Sequence, residues 1–144
     1  LPPGKEYSKG DEATPPADDA NLEHTFIMND YDDVAIIDGI YITQCATEGT
    51  AQEYSLFLFK NTNNNSTDSI TPVWYGKTNL APTISTIYLQ IFNRTSGLWE
   101  TIDSDNTTTA DTYFYLQGFI SANLSDYYSG SNVVSCRIYQ EAKQ

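Results

Sequence analysis

The chain has 144 residues, enough for one domain with a buried core, and no apolar run approaches the roughly 18 residues of a membrane-crossing helix. Its net charge of −12 argues against nucleic acid and against insertion into or onto anionic membranes, since both surfaces call for clustered Lys and Arg. Ser and Thr (29 together), 11 Asn and 11 Tyr suit the half-buried pleated surfaces of β-proteins that work outside cells.

Leu1-Pro2-Pro3-Gly4 reads as the start of a processed or trimmed chain. Residues 1–23 are rich in Pro, Gly and acid without apolar periodicity, and so read as an extended arm or linker. The acid is concentrated early: residues 1–38 hold ten Asp and Glu against two Lys.

From residue 24 the pattern becomes short strands. His24–Met28, Val34–Ile37 and Ile40–Cys45 come first, followed by Tyr54–Phe59, which is apolar on both faces as a central strand should be. After the Asn-rich loop 61–67 come Ile70–Tyr75, Ile87–Phe92, Leu98–Ile102, Thr112–Ile120 and Val133–Gln140. Pro72 assigns its strand to an edge or a bulge. Residues 24–144 are therefore expected to form one all-β domain, an antiparallel jelly-roll-like sandwich of about eight or nine strands. In the last strand Val134, Cys136 and Ile138 share one face, opposite Ser135, Arg137 and Tyr139.

Two cysteines, Cys45 and Cys136, predict one disulfide between an early strand and the last, in keeping with an oxidising compartment. Five Asn-X-Ser/Thr sites at Asn64, Asn65, Asn93, Asn106 and Asn123 fall in connections and are candidate glycosylation sites. Local turn chemistry produces the same tripeptides.

Catalytic constellations are missing. The single His24 stands at the junction of arm and first strand, a poor address for a triad. Glu53, Glu100 and Asp111 are not paired by the sequence as glycosidase carboxylates would be. No cofactor is expected. The cluster Asp30, Asp32, Asp33 and Asp38 is a weak calcium candidate beside the simpler reading of a solvated acidic turn. Asp103-Ser104-Asp105 lacks the glycine and closing acid of an EF-hand loop.

Aromatic residues remain. Trp74, Tyr75, Trp99, Tyr127 and Tyr128 are candidates for stacking on sugar rings, although a Trp in a strand more often fills a core. Over residues 70–102, Trp74-Tyr75-Gly76, the strand Ile87–Phe92 and Gly97-Leu98-Trp99-Glu100 resemble extracellular jelly-roll modules of the galactose-binding-like kind. The resemblance implies a carbohydrate-binding or adhesive appendage and carries over no ligand residue.

Two functions follow as expectations. The first is a secreted or cell-surface, non-enzymatic subunit of an extracellular fibre or surface layer, whose arm docks on a neighbouring copy. In that reading the strand carrying His24, Phe26, Ile27 and Met28 makes the contact by adding to an open sheet edge. The alternative is a carbohydrate-binding or adhesive module of a larger surface protein, with glycans as partners. A binding module should expose two or three aromatics on one sheet face, whereas an assembly subunit should bury them.

Overall fold

The computed structural model describes residues 4–9, 15–22, 24–28 and 55–140. Its strands are β1 (Gly4–Lys9), β2 (His24–Thr25), β3 (Ser55–Thr62), β4 (Val73–Gly76), β5 (Ile87–Asn93), β6 (Leu98–Asp105), β7 (Phe114–Gln117) and β8 (Val133–Gln140). One 3-10 turn, η1 (Leu124–Asp126), is the single helical element in that order. The fold of the described residues is thus all-β.

The centre is the antiparallel sheet β3-β8-β5-β6, extended at β3 by β1 and then β2. β8 lies in the middle because both of its edges are used: Cys136 faces Phe59 on one side and Ile91 on the other. Its alternation sends Val134, Cys136 and Ile138 to one face, all buried. On that face Ile87, Leu89 and Ile138 meet Leu116, Trp74 and Phe114 of a separate two-stranded ribbon, β4-β7. Fully burying side chains of this size contributes about 1.5–3 kcal/mol each, and this contact seats the ribbon on the main sheet.

A bulge sets where the ribbon sits. Leu89 pairs with Asp103 but Gln90 pairs with Thr101, so Ile102 has no partner across the ladder. Ile102 packs inward with both apolar clusters of this face. It lies so close to β7 that a Cβ on Gly118 would sit 3.2 Å from its Cδ1. The neighbouring Asp103 carboxylate accepts the Gln117 backbone N–H at 2.9 Å, pinning β7 beside β6.

Several expected strands are shorter than the sequence suggests. Pro72 has no N–H to give, and pairing there breaks into an isolated Ile70–Ile120 bridge and the strand Val73–Gly76. The Thr112–Ile120 run likewise keeps ladder pairing only over Phe114–Gln117. The His24–Met28 run pairs only at His24 and Thr25, while Gly4–Lys9, read from composition as arm, pairs along β3. The expected strands Val34–Ile37 and Ile40–Cys45 lie outside the described residues.

Among the described residues Cys136, one half of the expected disulfide, is a free, buried thiol. It is packed with Ile70, Ile91, Tyr128 and Val134, and burial pushes its pKa up to about 12. Cys45 lies outside the described residues.

Candidate functional site

The β4-β7 ribbon presents its two faces to different surroundings. Trp74 turns inward and meets Phe114 edge-on, 5.2 Å between ring centroids. The Trp74 ring also lies over Gly76, where an added Cβ would collide with Cζ2. Alternation then directs Val73 and Tyr75 of β4, and Tyr115 and Gln117 of β7, to the outside.

Tyr75 and Tyr115 are directly opposed across the ladder, with ring centroids 4.4 Å apart and planes tilted by 34°. Tyr113 lies near-parallel to Tyr75 at 5.2 Å and 17°. The result is a row of three phenol rings, with Tyr75 in the middle and the Lys77 ammonium 5.3 Å from the Tyr113 centroid. Nine large hydrophobic side chains are exposed among the described residues, and five of them are Val73, Tyr75, Tyr113, Tyr115 and Phe119. Exposure at 55% for Val73 and 57% for Tyr115 leaves this face open among the described residues. Chemically it offers ring edges, the outer plane of the end ring Tyr115, phenolic donors and acceptors, and one nearby cation.

The opposite face of the main sheet is covered by the arm. Leu22 joins Leu56 and Leu58 in an apolar cluster flanked by Trp99 and Tyr139. Asp19 accepts a hydrogen bond from Ser135 Oγ at 2.6 Å and pairs with Arg94 at 3.0 Å. Burial would raise the Asp19 pKa, but the Ser135 hydroxyl and the charges of Arg94 and Lys60 outweigh it, so the carboxyl is held below its ordinary value. Arg137 Nη1 and Trp99 Nε1 donate to the carbonyls of Pro16 and Asp18, at 2.8 and 3.2 Å.

The sugar-stacking candidates separate accordingly. Tyr75 belongs to the open row. Trp74 packs against the apolar cluster of the main sheet, and Trp99 lies half-buried under the arm. Tyr127 donates to Glu100 Oε2 at 2.8 Å. Tyr128 is buried, donating to the Asp68 carbonyl and accepting from Asn63. Tyr113 and Tyr115 were missed by sequence reasoning, although alternation along Tyr113, Tyr115 and Gln117 already groups them on one face.

Asn64, Asn65, Asn106 and Asn123 are exposed. Asn93 is not: it is buried, its Nδ2 donates to Glu100 and its Oδ1 accepts the N–H groups of Thr95 and Ser96. That sequon serves the hairpin turn. Glu100 is fully engaged by Asn93 and Tyr127, and exposed Asp111 occupies a turn at φ 57°. Asp105 caps its own turn through Thr107 and Thr108, and these bonds outweigh burial to lower its pKa.

Among the described residues no three His, Cys, Asp or Glu side chains converge on a metal position. The calcium candidates Asp30, Asp32, Asp33 and Asp38 lie outside them. Of the assembly residues, Phe26 is buried edge-on against Phe57 at 6.0 Å, while Ile27 and Met28 are exposed. His24 pairs through its backbone with Ser8. Comparison with protein-family models, curated proteins and solved structures finds no match to this chain.

Proposed function

We propose that this chain is a non-catalytic carbohydrate-binding module of a secreted or cell-surface protein, built as a jelly-roll-like sandwich and binding through the outer face of β4-β7. The observation that carries this reading is the solvent-open row Tyr113, Tyr75 and Tyr115. Pyranose rings present apolar C–H faces to aromatic planes, here the outer plane of Tyr115, since Tyr75 is flanked by both neighbours and Lys77 stands by Tyr113, and phenolic hydroxyls exchange hydrogen bonds with sugar hydroxyls. Rings already stacked on one another lose little further freedom when a ligand arrives. Gln117 and Lys77, at either end of the row, add polar groups that select orientation.

The fibre-subunit reading stands second, because Pro15–Leu22 contacts the sheet of its own chain and because these aromatics are exposed.

The test is affinity electrophoresis against a panel of soluble plant, fungal and bacterial polysaccharides. At least one should retard the protein, and Tyr115→Ala should weaken that retardation by about tenfold, as an aromatic anchor does. Failure of every polysaccharide to bind, or full retention of binding by both Tyr115→Ala and Tyr113→Ala, overturns the proposal.

A further inference from the structure

The tyrosines on the outer face of β4-β7 are oxidisable rings in mutual contact. Tyr75 is flanked by two phenols, Tyr115 at 4.4 Å and Tyr113 at 5.2 Å between ring centroids, so a radical formed on it always has a phenol against it. Tyr75 is 36% and Tyr115 57% exposed, which gives both rings access to an oxidant and room to turn from stacked to edge-on. The usual rival for a one-electron oxidant is a thiol, and among the described residues the one cysteine, Cys136, is buried in the core. The row also crosses a weak point of the fold. β4 and β7 pair only over Val73–Gly76 and Phe114–Gln117, and a two-stranded ribbon of that length is marginal by itself. Tyr75 and Tyr115 are partners across that short ladder.

We propose that this row is an oxidative cross-linking site, at which a carbon–carbon bond between Tyr75 and Tyr115 staples β4 to β7. The co-reactants are hydrogen peroxide and a one-electron oxidant of the haem-peroxidase class. Each phenol gives up its hydroxyl hydrogen as an electron and a proton, leaving two phenoxyl radicals whose unpaired spin extends to the ring carbons beside the oxygen. One such carbon (Cε) of Tyr75 bonds to its counterpart on Tyr115. The hydrogen on each of these carbons then moves to its own ring's oxygen, restoring both aromatic rings and both hydroxyls. Two hydrogen atoms leave the protein, and the peroxide is reduced to two waters. The new bond closes residues 76–114 into a loop and so restricts the unfolded chain as a disulfide would. The inference is independent of carbohydrate binding.

The experiment treats the full chain at low concentration with a haem peroxidase and hydrogen peroxide, then reads intact mass, dityrosine fluorescence and cross-linked peptides. The expected result is a single chain lighter by two hydrogen atoms, fluorescent in the blue, with one peptide pair joined through Tyr75 and Tyr115. Oxidation of exposed Met28 adds an oxygen and is told apart by mass. Tyr75→Phe keeps the ring but removes the phenol, and should abolish the product. Tyr88→Phe, in the stacked pair Tyr88–Tyr139 of the main sheet, should leave the product unchanged. The linked chain should unfold at higher urea than the untreated one. Cross-linked peptides that map to other tyrosines, links formed only between chains, an undiminished product from folded Tyr75→Phe, or a linked chain no more resistant to urea overturns the inference.

Discussion

The Arg137 guanidinium lies 4.2 Å above the Trp99 ring centroid, joining strands β8 and β6 across the intervening β5. Arg137 is only 5% exposed and also bonds Gln90 and the Pro16 carbonyl, so one cation ties three strands to the arm. Replacing it by Ala leaves the partly buried Gln90 and Pro16 acceptors without this donor and uncovers the indole. We expect Arg137→Ala to lower stability by about 3 kcal/mol in urea titration and to shift Trp fluorescence to the red. Arg137→Lys keeps the charge but loses the planar fork, and should recover only part of the loss.

Acid should loosen the arm. The Asp19 pKa is lowered in the folded chain from its ordinary 3.8. A carboxyl depressed by folding contributes stability that is present above its unfolded pKa and is lost as pH falls through the folded one. Amide exchange over residues 15–22 should therefore rise as pH falls below 3.8, after correction for intrinsic rates. Asp19→Asn should remove most of that pH dependence, leaving the share due to Asp105, which is lowered likewise.

Cys136 should be inert toward thiol reagents in the native state and react only on unfolding. Its pKa is raised from 9.0 to about 12 by burial. The sign is opposite to that of Asp19: this contribution is complete below pH 9.0 and is lost as pH rises toward about 12. Labelling with a chromogenic disulfide across a urea gradient should track the unfolding transition.

Sequons should divide by exposure. In a glycosylating host, peptide mapping should find sugar on one or more of Asn64, Asn65, Asn106 and Asn123, all exposed, and none on buried Asn93. Asn93→Ala should instead destabilise the hairpin by about 1–3 kcal/mol, because Glu100 and two backbone N–H groups lose their partner.

The sequence by itself determined the strands whose pattern is local. Val133–Gln140 is a strand over the predicted residues, and Val134, Cys136 and Ile138 turn together into the core, because alternation is imposed by the pleat of each strand. Likewise Leu56 and Leu58 part from Phe57 and Phe59 to opposite sides of β3, as a run apolar on both faces demands. Alternation cannot say what covers a face. Ser135 and Arg137 look solvent-facing in the sequence, yet both are buried by Asp19 and Pro16, 116 and 121 residues away. Tyr113 and Tyr115 are grouped by the same periodicity, but only the pairing of β4 with β7 brings Tyr75 beside them, and only the packing of Trp74, Phe114 and Leu116 onto the main sheet decides that the tyrosines point outward. Periodicity is a property of a strand. Burial belongs to the pair of surfaces that meet, and here the second surface comes from distant parts of the chain.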